Sequence, residues 1–531
     1  MARLILRTAR EHPDLRFFNA LDPRRLPGFT WRRALGDMAS LAETFRSWGL
    51  GRGDRIACRL PNGYPMLVWE LTALCTGVAS VPLYPGLDDA RAGELLRRIT
   101  PRAFLCEEAD RGALLLEGLP GRPRSIGPQG VFGRPGDLQA LAEEARAVGP
   151  DDIALIQFTS GTTGRSKGVV LTHRNLASQQ RAYASVWKVP PGSRFLSHLP
   201  WHHSYGGISE RFTALCRGAR LFVDTEAGRD PDRLLAAWRR VRPTHFCTVP
   251  KVFVRLMNRL RGDRAAERAF FHRDLNMLFT AGAPLPAECT RYFEDRGARL
   301  MEGWGLTETS PTVTMTDPGD RRIHSVVGRP IPGVRVRVAA DGEILVKGPN
   351  VMKGYFREPA LTRAAFDRRG WFRTGDLGAV MPEGLRIICR RDGVFKLLNG
   401  EKVASMPVEE ALTLGSGRIQ HAVAVGEGRD FTALLLFPAS GDIPPEDLRT
   451  EVEAAVRPWA STYAEVKAAA VVPRELSLAE GELTPTLKVV RRRVIQRCAE
   501  WLEAIYRPRR HPRLQRHILR LGDADGREPA G

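Results

Sequence analysis

Residues 158–173 read Phe-Thr-Ser-Gly-Thr-Thr-Gly-Arg-Ser-Lys-Gly-Val-Val-Leu-Thr-His. Thr159, Ser160, Thr162 and Thr163 offer hydroxyl groups, Gly161 and Gly164 let backbone N–H groups approach a ligand closely, and Lys167 adds a positive charge. Small residues, hydroxyls and one ammonium in a single loop make a cradle for a polyphosphate. It is not a Walker A loop, because Gly164 and Lys167 are three apart and Gly168 follows. The Gly-x-Gly-x-x-Gly dinucleotide pattern is also absent. The competing expectation is a plain strand-to-strand hairpin rich in Ser, Thr and Gly.

Further loops carry compatible chemistry. Gly282-Ala283-Pro284 follows an expected strand at 275–279, and Glu302-Gly303-Trp304-Gly305-Leu306-Thr307-Glu308 offers a flat aromatic, small residues, a hydroxyl and a carboxylate. Asp376 follows Gly375, where a tight turn would let one acid accept two hydrogen bonds from a sugar diol; the plainer role is that of a turn aspartate. His198 and His202 are four apart and could share a metal, but the His-Glu-x-x-His pattern is missing, so satisfied or substrate-lining histidines are expected. Arginine is the default basic residue. A retained lysine such as Lys167, Lys396, Lys402 or Lys488 in a Gly/Thr/Pro-rich loop therefore suggests a need for a compact ammonium.

Stretches with helical and strand patterns alternate around these loops. Helices are expected at 29–50, 66–76, 138–147 and 175–186, and strands at 55–60, 78–83, 151–157 and 194–199. That alternation predicts an α/β fold: a large multi-layered N-terminal domain of mixed sheets and helices, then a small mobile α+β domain. The boundary falls at 391/392. The second domain spans 392–506, with strands at 422–425 and 433–438 and helices at 445–456 and 489–506, and a basic, mobile tail is expected over 507–531. At 531 residues, one core is insufficient.

With eight cysteines lacking metal or redox spacing and no export signal, a reducing cytoplasm is the simplest expected compartment. The longest apolar stretch, 64–84, carries Glu70 and is broken by Gly77 and Pro82, so it is a buried helix and strand. The formal charge of +20 is spread along the chain without aromatic interleaving, which argues against nucleic acid as a partner. Arg3, Arg7 and Arg10 beside Leu4, Ile5 and Leu6 leave weak peripheral association with the inner membrane surface open, a solvated terminal helix being the plainer reading.

Taken together, these motifs resemble the adenylate-forming superfamily of acyl-CoA synthetases, peptide-synthetase adenylation domains and luciferases, over residues 29–506. The resemblance implies that Thr159, Ser160, Gly161, Thr162, Thr163, Gly164 and Lys167 hold the β- and γ-phosphates of ATP. It implies an adenine site at Gly282, Ala283, Pro284, Glu302, Gly303, Trp304 and Gly305, and ribose contacts at Asp376 and Arg390. Thr307 matches the α-phosphate contact, Glu308 the Mg²⁺-binding carboxylate, Asp392 the hinge and Lys488 the lysine that meets carboxylate and α-phosphate; His203 matches a histidine of the acid site. Positive charge aimed at a transferring phosphoryl group agrees with the electrostatics of that step.

Residues 395–403 and the Val-Val-Arg-Arg-Arg after Lys488 resemble the long-chain branch. The implied reaction activates a medium- or long-chain fatty acid with ATP to acyl-AMP, then transfers it to CoA. The alternatives are an acyl-AMP ligase loading a separate carrier protein and a non-enzymatic basic protein. Trp304 stands where the family usually has tyrosine, and Gly393 where an acid is common.

Overall fold

The computed structural model describes all residues except 22–27, 134–135, 161–165, 227, 321, 440, 460–464, 485–487 and 522–531. Among the described residues, three sheets occupy the chain up to Arg390. A nine-stranded sheet has six neighbouring parallel strands, Leu300–Trp304, Met277–Ala281, His245–Thr248, Arg194–Ser197, Arg220–Val223 and Arg16–Ala20, with antiparallel edges. A seven-stranded sheet runs from Gly354–Tyr355 through Ser166–Thr172 and Ile153–Ser160 to parallel strands beyond. A four-stranded antiparallel sheet ends in Phe372–Met381 and Gly384–Arg390. The α/β expectation holds.

The apolar stretch folds as the helix Tyr64–Thr76 and the strand Ala79–Pro82, both buried. Pro65 stands in the first turn of this helix, where its missing N–H is harmless, and Gly77 ends it at φ +72°. Glu70 is buried within the helix and pairs with buried Arg211. Among the described residues, no helix is long and apolar enough to cross a membrane.

Several boundaries differ from expectation. The helix expected from 29 begins at Trp31, because Phe29–Thr30 pairs with the strand Arg16–Ala20 and the Thr30 hydroxyl accepts the N–H of Arg33. The helix expected over 489–506 is two, Arg491–Arg497 and Ala499–Tyr506, separated at Cys498. The N-terminal helix Ala2–Glu11 buries Ile5, Leu6 and Ala9 against the helices Trp31–Ser47, Tyr64–Thr76 and Leu138–Ala147. The apolar face that left membrane association open is therefore covered by the protein.

From Val394 onward, a hairpin and a four-stranded sheet enclose hydrophobic clusters made of residues 395–521. That sheet orders Ile419–Val425, Thr432–Pro438, Val466–Val471 and Ile518–Arg520. The tail expected to be mobile from Arg507 is thus packed through Leu521. Pro508–Arg510 and Pro512–His517 are short turns of 3₁₀ helix, and Leu519 is fully buried.

Candidate active site

The parallel strands Arg194–Ser197, His245–Thr248, Met277–Ala281 and Leu300–Trp304 share one direction. The loops after their carboxyl ends carry His202 and His203, Gly282 to Pro284, and Thr307 with Glu308. Ligands of open parallel sheets sit at such strand ends.

Trp304 ends its strand half-buried, and its indole N–H donates to Asp376 Oδ2 at 3.0 Å. Asp376 is not in a tight turn. It lies within Phe372–Met381, directly across from Arg390, after Gly375 at φ +72°. Arg390 Nη1 is 2.9 Å from Asp376 Oδ1, and its Nε is 3.7 Å from Asp392 Oδ1 in the turn Arg391–Gly393. Burial pushes the Asp376 carboxyl above its usual range, against the pull of Arg390, the Trp304 N–H and Lys488. Against the cost of its own burial, Asp376 and Asp392 hold Arg390 above its usual range.

The glycines flanking Trp304 answer to close approach. A Cβ on Gly303 would stand 2.6 Å from Phe279 Cζ, and one on Gly305 would collide with the Pro311 carbonyl oxygen. Gly282 follows its strand at φ +95°, a backbone state that favours glycine, with Ala283 exposed and Pro284 half-buried beside it. The Glu302 carboxylate pairs with Arg322 while both side chains are buried, and its N–H donates to Thr316 Oγ1 at 2.9 Å, so its side chain is engaged inside the protein. Burial lowers Arg322 to about 10.

Thr307 opens the 3₁₀ turn Thr307–Thr309, its hydroxyl 3.2 Å from Ser204 Oγ. Glu308 Oε1 accepts the Tyr355 hydroxyl at 3.0 Å, and Lys167 Nζ lies 5.3 Å from the centroid of the same Tyr355 ring. Lys167 comes from the hairpin Ile153–Ser160 and Ser166–Thr172, in which Thr159 faces Lys167 and Ser160 faces Ser166. Hairpin and cradle are therefore compatible readings: the hairpin sets Thr159 opposite Lys167. Gly161, Thr162, Thr163 and Gly164 lie outside the described residues.

His203 Nδ1 accepts the Tyr205 N–H at 3.3 Å. Burial, with Lys488 and His202 nearby, lowers its pKa to about 3, and burial lowers His202 to about 4. The next seven residues, Tyr205–Arg211, form a π-helix that the sequence reading missed. Its signal was Gly206-Gly207: a Cβ on Gly206 would stand 2.6 Å from the Pro200 carbonyl oxygen. His198 stacks on Phe246, ring centroids 5.5 Å apart. Among the described residues, no group of three or more His, Cys, Asp or Glu could hold a metal ion. A single carboxylate such as Glu308 still suits Mg²⁺, which keeps waters and takes phosphate oxygens.

Lys488 arrives from the C-terminal part. Its N–H donates to Thr484 Oγ1 at 3.0 Å, and the Thr484 N–H returns a bond to the Lys488 carbonyl at 2.8 Å. Desolvation by surrounding protein and the nearby Arg390 hold its ammonium below the usual lysine range, against Asp376 and Glu308, although Lys488 itself is exposed at the surface. The structure thus brings Lys488, Glu308, Asp376, Arg390 and His203 into one electrostatic neighbourhood.

A family model described as AMP-binding enzyme matches residues 5–356, and one described as AMP-binding enzyme C-terminal domain matches residues 392–510. The chain belongs to the AMP-binding enzymes. This AMP-binding enzyme is similar to a long-chain-fatty-acid–CoA ligase, FadD15 of Mycobacterium bovis, at 27% identity over 95% of this chain and 97% of that protein. It is also similar to a sulfoacetate–CoA ligase of Cupriavidus necator, at 32% identity over 80% and 84% of the two chains. Its fold matches that of ATP-bound MatB from Rhodopseudomonas palustris with a TM-score of 0.75, at 23% identity over 95% of this chain and all of that one.

Proposed function

We propose that this AMP-binding enzyme is an ATP-dependent, AMP-forming acyl-CoA synthetase acting on medium- or long-chain fatty acids. The observation that carries this reading is the cluster at the strand ends in which the Trp304 indole N–H and Arg390 both hold Asp376, with Lys488 near enough to feel the charges of Arg390, Asp376 and Glu308. In the first half-reaction, the acid's carboxylate oxygen attacks the α-phosphorus, the bond to the β-phosphate oxygen breaks, and pyrophosphate leaves. In the second, the CoA thiol attacks the acyl carbonyl, loses its proton, and AMP departs.

Two anions meet in the first step, so cationic and hydrogen-bonding groups aimed at the α-phosphate lower its barrier. Lys488 supplies the ammonium and Thr307 the hydroxyl. Asp376 and Arg390 grip the ribose diol, and the Trp304 face with Gly282 to Pro284 flanks the base. Residues 159–167 hold the departing phosphates. Glu308 would hold Mg²⁺, which neutralises phosphate charge when bound. His203, neutral above about pH 3, lines the acid's approach without carrying a charge.

The two parts, 1–391 and 392 onward, pivot at Asp392, which exchanges the Lys488 face for another after adenylation. The FadD15 likeness supports a fatty acid; the sulfoacetate–CoA ligase likeness makes the acid the point to test. The purified protein would be assayed by carboxylate-dependent pyrophosphate exchange, with acids from acetate through long-chain fatty acids and aromatic acids. CoA and a phosphopantetheinylated carrier protein would then be compared as acceptors. Fatty acids of about eight carbons or more should give the highest kcat/KM, with CoA the better acceptor; a preference for sulfonated or short acids would overturn the substrate class.

A further inference from the structure

Two hydrogen bonds join the N-terminal part to the segment that carries Lys488. Arg91 Nη1 donates to the Leu478 carbonyl at 2.9 Å, and Nη2 donates to the Ala479 carbonyl at 2.8 Å. Arg91 stands in the first turn of the helix Asp89–Ile99, its own N–H bonded to the capping Asp88. A cation there opposes the helix dipole, so the guanidinium gains little from its own helix beyond Asp88, 3.6 Å away. Its planar fork instead matches two successive carbonyls.

The receiving segment is braced. Glu482, fully buried, is 2.7 Å from Arg474 and 3.2 Å from Arg497, and it accepts the Ser477 N–H at 3.0 Å. Arg497 also reaches Glu480 at 2.7 Å. The Glu482 carbonyl accepts the Val490 N–H at 2.8 Å, and Leu483 bridges to Val489 next to the hydrogen-bonded pair Thr484 and Lys488. Leu478, Ala479 and Lys488 thus belong to one cross-braced piece with the helix Arg491–Arg497, and a pull on the carbonyls is a pull on the lysine.

We propose that Arg91 is a positioning residue for adenylation. Its grip on the carbonyls of Leu478 and Ala479 seats the braced segment so that Lys488 reaches the cleft, and the grip is released when the C-terminal part turns for thioester formation. This rests on the role proposed above for Lys488. Arg91 touches no reacting atom, so its effect is confined to the half-reaction that uses the seated lysine.

The test compares Arg91→Ala, Arg91→Gln, Lys488→Ala and the Arg91→Ala/Lys488→Ala double variant in the full chain. Pyrophosphate exchange reads adenylation, and thiolysis of supplied acyl-adenylate by CoA reads the second step. Both Arg91 variants should lose about tenfold in exchange kcat, with an unchanged melting temperature and undiminished thiolysis. In the Lys488→Ala background, Arg91→Ala should cause no further loss. Unchanged exchange, equal loss in both half-reactions, or an additive loss in the double variant would overturn the latch. Should Lys488→Ala itself leave exchange intact, the lysine assignment fails and the latch with it. Collapse of exchange in Lys488→Ala without loss in the Arg91 variants sinks the latch alone.

Discussion

Trp304 shows what a single side chain contributes to the site. It keeps a flat face where a tyrosine is usual in this family, and its N–H, donating to Asp376 at 3.0 Å, replaces the lost hydroxyl with another polar tie. Trp304→Phe retains the face and removes the donor. It should raise the KM for ATP about fivefold to tenfold, with kcat and melting temperature little changed, since one hydrogen bond to Asp376 is lost. A variant with unaltered KM would mean that the bond does not help to orient Asp376 for a nucleotide. Residues of this kind were legible because they sit in dense runs of Gly, Thr and acid. Their partners were not. Tyr355, Arg322 and Arg91 occur in stretches with no unusual pattern, and in a chain that uses arginine by default nothing marks one arginine as a partner. Tyr355 is 47 residues from Glu308, and Arg91 is 387 from Leu478, so these pairings follow from the fold and not from local spacing.

Among the elements, the strand Ile518–Arg520 was the most consequential omission. Its surroundings are rich in Arg, His and Pro, which reads as a solvated tail, yet Ala468 faces Arg520, Ala469 faces Leu519 and Ala470 faces Ile518. A chain ending at Tyr506 would strip that edge and expose the hydrophobic clusters that Ile518, Leu519 and Leu521 help to close. Burial of such side chains is worth roughly 2 kcal/mol each, so the C-terminal part should unfold at a lower urea concentration. Adenylation should fall in parallel, because the Lys488 segment packs on the same sheet. Equal stability of the shortened chain would refute that packing. Long periodic elements such as Tyr64–Thr76 were readable from their apolar runs, whereas the π-helix Tyr205–Arg211 left only the Gly206-Gly207 pair as a trace and the break at Cys498 depends on packing that no local propensity announces.

For the molecule as a whole, the α/β class and the order of chemical motifs were visible in the chain, while the burial of its titratable groups was not. Burial holds His173 and His203 at about 3 and His198, His202, His245 and His421 at about 4. Each folded value lies below the unfolded value of about 6.5, so the unfolded chain binds more protons and stability falls as pH drops from about 6.5 toward 4. Glu210 and Glu410 act in the opposite sense. Burial raises both to about 8, so their contribution is full below about pH 4.5 and fades as pH climbs toward 8. The melting temperature of the nucleotide-free protein, followed by calorimetry, should therefore climb between pH 4.5 and about 6.5 and decline gently above it; a steady climb to pH 8 would contradict these burial assignments. The contact of Arg91 with main-chain oxygens has a consequence of another kind. Every residue carries a carbonyl, so positions 478 and 479 can change identity and still be gripped, whereas position 91 cannot. Drift is free on the receiving side of that contact and forbidden on the donating side, and inheritance should reveal the asymmetry wherever the two positions vary.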